Sequence, residues 1–179
     1  MAVIALSVIL SGCSRPEPRT HVSFNEGWKF ALAADDDAWQ PSFDDSGWRV
    51  MNLPHDWSIE GEFSESHPAS PGGGALPGGI GWYRKTFRVS KADKEKMTYI
   101  SFDGVYRNSE VWINGNHLGK RPYGYSSFRY DLTPFLKYGE EDNVIAVKVD
   151  NSAQPNSRWY TGSGIYRNVW LTTTGKIAV

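Results

Sequence analysis

From Ser23 to Val179 the apolar and polar positions alternate in short runs, and no helical stripe of useful length interrupts them. Trp82–Val89 (WYRKTFRV) sets Tyr83, Thr86 and Phe87 among charged residues, and Met97–Phe102 sets Ile100 and Phe102 against Tyr99 and Ser101. Glu110–Ile113 runs into Asn114-Gly115, a strong hairpin signal because both residues accept positive φ, and Leu118-Gly119 begins the return strand. Asn143–Val149 alternates most cleanly, with Ile145, Val147 and Val149 on one face and Lys148 on the other. Gly27–Leu32, Phe128–Leu132 and Asn168–Thr173 complete the strand candidates. Asp131-Leu132-Thr133-Pro134 has the form of a helix start with proline in its first turn, carrying only Phe135 to Lys137. Strands separated by turn signals, without crossover helices, predict an all-β antiparallel sandwich.

Two segments break the alternation. Ser64–Gly81 is long and holds six glycines between Gly72 and Gly81; a structureless loop of that length is usually functional or mobile. Asn151–Gly164 (NSAQPNSRWYTGSG) is a polar excursion with an aromatic tip between two good strands. Trp28, Trp48, Trp82 and Trp112 lie inside strand and turn motifs, which favours packing over ligand stacking. The 19 Lys+Arg against 20 Asp+Glu leave no basic excess, so a nucleic-acid partner is not expected. A single cysteine excludes an internal disulfide and a CxxC zinc site, and the four histidines show no helical pairing; neither metal nor cofactor is expected.

Met1–Gly12 (MAVIALSVILSG) is almost wholly apolar, too short for the roughly 20 residues that span a bilayer but suited to the core of a secretory signal. Cys13 follows Leu10-Ser11-Gly12, an order that resembles the bacterial lipobox, although no Lys or Arg precedes it. Ser14–Thr20 reads as a polar, proline-bearing tether. The expected division is therefore a lipoprotein-type signal and tether over 1–20 and one globular domain over 21–179. Cys13 would then be lipidated, the acyl chain would hold the protein in a membrane, and the location would be the bacterial cell envelope. The other reading is an apolar N-terminus with a buried free cysteine.

Several stretches then point together: Phe24-Asn25-Glu26-Gly27-Trp28, Asp44-Asp45-Ser46-Gly47-Trp48, Leu53-Pro54-His55-Asp56-Trp57, Gly81-Trp82-Tyr83-Arg84, Ser109-Glu110-Val111-Trp112, Gly124-Tyr125-Ser126-Ser127-Phe128, and Arg158-Trp159-Tyr160-Thr161-Gly162-Ser163-Gly164 through Leu171. In this order they resemble the N-terminal sugar-binding domain of glycoside hydrolase family two, the group of β-galactosidases, β-glucuronidases and β-mannosidases. The His55-Asp56-Trp57 form and the Trp159–Gly164 run most resemble β-galactosidase-type members. The resemblance implies a jelly-roll sandwich of the galactose-binding-domain kind. In the family it is followed by an immunoglobulin-like domain and by a barrel that carries two catalytic glutamates for a retaining displacement. Both are absent from this chain, so no catalytic residue is assigned. The nearby Glu60, Glu62 and Glu65 are expected to be a solvated cluster. The implied partners are the missing barrel and immunoglobulin-like domains and a carbohydrate, a terminal β-linked sugar for which a galactoside is expected.

Sugars are held by paired hydrogen bonds from carboxylates and amides and by aromatic rings on their C–H faces. Asp150 ends the best alternating strand on the Lys148 face, and the resemblance implies that the acidic residue here bonds sugar hydroxyls; Asn151 shares the assignment within one position. An Asx turn would also account for Asp150. His55 and Asp56 are substrate-binding candidates, or a structural pair packing their loop. Trp159 and Tyr160 would stack on sugar or close a domain interface, and Arg167 would pair at a domain contact. The expected role is the non-catalytic sugar-binding lobe of a retaining β-galactosidase-like enzyme, in a truncated or separately predicted chain. The alternative is a free-standing carbohydrate-binding lipoprotein.

Overall fold

Alternation commits this chain to strands because a period of two delivers every second side chain to one face. The computed structural model describes residues 19–32 and 36–176. It contains β1 (Arg19–Ser23), β2 (Trp28–Leu32), β3 (Arg49–Met51), β4 (Gly79–Phe87), β5 (Met97–Phe102), β6 (Ser109–Ile113), β7 (Asn116–Arg121), β8 (Phe128–Asp131), β9 (Asn143–Asn151) and β10 (Val169–Thr174). One sheet has the order β1-β10-β5-β8 and the other β3-β2-β4-β9-β6-β7, and all the pairings are antiparallel. The all-β sandwich expected from the alternation is what forms. Cys13 and the proposed signal lie outside the described residues.

The core sits between the sheets. Ile145, Val147 and Val149 on β9 are fully buried with Ile100 and Phe102 on β5, Val111 and Ile113 on β6, and Trp28 and Tyr83. Burying one such side chain contributes about 1.5–3 kcal/mol relative to leaving it in water. The opposite face of β9 is covered as well. Ala146 packs with Trp82 and Ala38, and Trp39, Phe43, Trp48 and Trp112 close around them. Arg84 is 2% exposed beneath this cover. Its Nε donates to Asp45 Oδ2 at 2.8 Å and its Nη1 donates to the carbonyls of Ala38 and Gln40. Lys29 meets the same carboxylate at 2.6 Å. The segment 36–48 is thereby fastened to the sheet through one buried guanidinium.

The Asn114-Gly115 turn forms as its sequence predicts, with φ of 49° and 83°. The Asn114 side chain also acts as a hub: Oδ1 accepts from Val144 N at 2.9 Å, and Nδ2 donates to Phe135 O and Asn143 Oδ1, both at 2.8 Å. The expected helix start is a single 3-10 turn, Thr133–Phe135, opened by Asp131 Oδ1 accepting from Thr133 N at 2.9 Å. Leu136 is already extended, so the turn ends before Lys137.

Three features differ from the sequence-based expectation. Arg19 and Thr20, placed in the tether, belong to edge strand β1. Strand β3 was not expected, since its three residues are short of any period. Strand β4 starts at Gly79 rather than Trp82, inside the glycine-rich loop. Gly81 is there for proximity: a Cβ would stand 2.7 Å from the Trp57 ring and 2.9 Å from the Phe30 ring.

Candidate functional site

The alternation of β9 turns Val149 inward, Asp150 outward and Asn151 inward again, at the end of the sandwich where the 151–164 excursion begins. Asn151 is 2% exposed and its carboxamide is saturated. Nδ2 donates to Gly162 O at 3.1 Å and Ser163 Oγ at 2.7 Å. Oδ1 accepts from Gln154 Nε2 at 3.0 Å and Asn156 Nδ2 at 2.7 Å. With both donors and both lone pairs used, Asn151 holds the excursion and has nothing left for a ligand. Asp150 differs. Its Oδ1 accepts from the amide of Ser152 at 3.0 Å and from its hydroxyl at 2.6 Å, the Asx-turn geometry, while Oδ2 has no hydrogen-bond partner among the described residues. Partial burial pushes this carboxyl upward, but Ser152, Lys148 and Lys120 outweigh it and hold it below its ordinary value. Asp150 thus keeps one oxygen of a fully ionised carboxylate available as an acceptor.

His55 and Asp56 point inward to the scaffold. Asp56 Oδ1 accepts from Ser58 N at 3.0 Å and Ser163 N at 2.8 Å, and Oδ2 accepts from the Tyr160 hydroxyl. Burial first, then the Asp56 carboxylate, raises the Tyr160 phenol above its ordinary range. Four of the candidates therefore converge: Asn151, Asp56 and Tyr160 meet around Ser163, and His55 adjoins them through its own backbone bond to Ile165 O at 2.9 Å. The His55 ring is buried edge-on against Phe30 and Tyr83. Its Nδ1 lies 2.7 Å from the Tyr83 hydroxyl, and Nε2 lies 3.3 Å from Glu60 Oε1 and 3.2 Å from Arg49 Nη2. Glu60 is in turn paired with Arg49 at 2.7 Å, so it serves the loop's packing.

Burial, opposed by Glu60, lowers the His55 imidazole below its ordinary 6.5. The fold keeps the ring neutral, so the unfolded chain takes up the proton first. This contribution to stability is complete above pH 6.5 and is lost as the pH falls from there through the folded value. Urea midpoints should therefore drop between about pH 7 and pH 5, before most carboxylates near 4 begin to protonate. A midpoint that stays flat over this interval would exclude a neutral, buried His55.

Trp159 stands 64% exposed on the other side of the excursion. It borders a cleft of about 460 Å³ lined also by Tyr106, Arg107, Tyr123, Tyr125, Asn156 and Arg158. Tyr106 forms the buried floor, donating its hydroxyl to Asn156 Oδ1 at 3.2 Å. Gly124 lets the opposite wall approach, since a Cβ there would stand 2.9 Å from Cγ of the Tyr106 ring. Arg107 joins this cleft to the β9 terminus: its carbonyl accepts from Asp150 N at 3.0 Å, and Asn108 Nδ2 donates to Asp150 O at 3.1 Å. Arg167 lies elsewhere, exposed over the Tyr166 ring in a separate polar depression with Asp103, Ser126 and Tyr125, and it has no ion pair among the described residues. The sequence did not single out Arg107, Tyr123 or Tyr125. The available signal was the pair of tyrosines in Arg121-Pro122-Tyr123-Gly124-Tyr125, a turn where core packing does not account for aromatic residues.

Residues 22–175 match the family described as glycosyl hydrolases family 2, sugar binding domain. A β-galactosidase from Bacteroides ovatus is 62% identical over 169 residues, which cover 94% of this chain and 20% of that protein. A putative β-glucuronidase from Formosa agariphila is 55% identical over 153 residues, 86% of this chain and 15% of its own length. The crystal structure of a β-glycosidase from Bacteroides vulgatus superposes with a TM-score of 0.82 at 53% identity, covering 86% of this chain and 20% of that one. The chain thus spans about a fifth of the length of these relatives. With the family match extending from β1 to the end of β10, the chain belongs to glycosyl hydrolase family 2, as a sugar-binding domain of that family.

Proposed function

We propose that this domain supplies one wall of the sugar pocket of a retaining β-glycosidase whose two catalytic glutamates reside in a barrel outside this chain. The sugar is a terminal β-linked galactoside, in line with the names borne by relatives such as the Bacteroides ovatus β-galactosidase. The observation that carries the proposal is Asp150, an ionised carboxylate at the rim of the sandwich with one oxygen uncommitted. Asn151, Asp56 and His55 position that rim rather than touch sugar. Trp159 offers the aromatic face, and Arg167 remains available to a neighbouring domain of the same enzyme.

In the barrel-bearing protein, Asp150→Ala should lower kcat/KM roughly thirtyfold, a loss of about 2 kcal/mol of transition-state stabilisation. Unchanged kinetics would remove Asp150 from the sugar site. We further propose that Cys13 carries an acyl anchor and that the protein resides at the bacterial envelope, on the strength of the apolar run and the Leu10-Ser11-Gly12-Cys13 order. Labelled palmitate retained by the wild type and absent after Cys13→Ser is the expected result, and equal labelling would refute it.

A further inference from the structure

We infer that the cleft between Tyr106, Tyr123, Tyr125 and Trp159 is a second carbohydrate subsite, selective for an acidic sugar unit, with Arg107 and Arg158 as its charge partners. The inference rests on the proposed sugar role of Asp150, because the cleft begins at Arg107, whose carbonyl is bonded to the Asp150 amide at 3.0 Å. A glycan seated with its terminal sugar at Asp150 would extend its next unit or its substituent toward this cleft.

Three properties define the occupant. The first is size: about 460 Å³ lies within the roughly 300–1,000 Å³ of small-molecule sites. The second is surface. Tyr123 and Trp159 are 65% and 64% exposed, and Tyr123 and Tyr106 both meet Tyr125 edge to face. Rings held in this way offer flat apolar faces to the C–H face of a pyranose. The third is charge. The cleft is lined by two arginines and no carboxylate, and neither guanidinium forms an ion pair among the described residues. Arg107 Nε is buried and has no hydrogen-bond partner among the described residues. A buried donor left without an acceptor costs about 1–3 kcal/mol, so this guanidinium is not tied down by the fold at that edge. Guanidinium forks match the oxygens of a carboxylate or an oxyanion ester. The shared chemistry of the ligand is thus a pyranose bearing a fixed negative charge, either a uronate carboxylate or a sulfate ester.

The experiment titrates the 179-residue chain calorimetrically with three disaccharides: one carrying glucuronate, one carrying 6-sulfated galactose, and neutral lactose. At least one acidic probe should bind tenfold or more tightly than lactose. Arg158→Ala, on the exposed excursion, should reduce the acidic affinity at least fivefold while changing lactose binding less than twofold. Arg107→Met should act in the same direction, and Trp159→Ala should weaken every probe that binds. The comparison of glucuronate with sulfate identifies the anion. Equal affinity for acidic and neutral probes overturns the inference, as does acidic binding that survives both arginine substitutions. Failure of both acidic probes to bind a chain that melts cooperatively also overturns it, as does acidic binding that vanishes in the barrel-bearing protein, which would assign the cleft to a domain contact. None of these outcomes touches Asp150, whose role is decided by the kinetics of Asp150→Ala.

Discussion

Asp45→Ala should lower the unfolding free energy by about 3 kcal/mol, read as a reduced urea midpoint with an unchanged slope. The partner it abandons is Arg84, 2% exposed under the 36–48 segment. A buried ion pair adds little over a well-packed apolar pair, but removing one member leaves the other charge stranded, which costs about 3–5 kcal/mol. The low end applies here because Arg84 keeps the carbonyls of Ala38 and Gln40. Asp45 shows the same coupling from its own side. Partial burial pushes its carboxyl upward, yet Lys29 and Arg84 hold it below the ordinary value. Asp45→Asn, which retains an acceptor, should lose less. A loss below about 1 kcal/mol for the alanine variant would mean that Arg84 reaches water when the segment opens, and the proposed fastening would fail.

Gly164→Ala should be more damaging, on the order of 4 kcal/mol, and it strikes the site as well as the fold. Gly164 has φ of +127°, a conformation that L residues rarely adopt, and a Cβ there would lie 2.7 Å from the His55 carbonyl oxygen and would collide with the Tyr83 hydroxyl. Its amide and carbonyl are both bonded to Tyr106, at 2.8 and 2.9 Å. This isolated bridge ties the floor of the aromatic cleft to the strand of loop that carries Ser163. The expected observation is a large fall in thermal midpoint, with loss of tertiary aromatic signal around Tyr83 and Trp57. A variant as stable as the parent would show that the loop has another way to close.

Much of the framework was legible because it is local. Ile145, Val147 and Val149 announce their strand by alternation, and Asn114-Gly115 announces its turn by conformational tolerance. β1 and β3 were not legible, since a polar edge strand such as Arg19–Ser23 buries too little to leave a pattern and three residues cannot show a period. The glycine at position 81 looked like loop because a sequence does not reveal which ring presses on a missing side chain. For the site, the residue types were readable and their allegiance was not. His55, Asp56 and Asn151 are the right chemistry for sugar, yet Tyr83, Ser163 and Gly162 claim their hydrogen bonds from 11 to 107 positions away along the chain. The cleft was invisible for the same reason: residues 106–107, 122–125 and 156–159 are strangers in sequence and become neighbours through the β6–β7 pairing, the Tyr106–Asn156 bond and the Tyr106–Gly164 bridge.

The saturation of Asn151 has an evolutionary consequence. Because its amide clamps the backbone of the excursion from inside, the outward residues Ala153, Arg158 and Trp159 bear little of the folding burden. Substitutions there can accumulate without unravelling the sandwich, so glycan preference can diversify among descendants while the architecture underneath stays inherited.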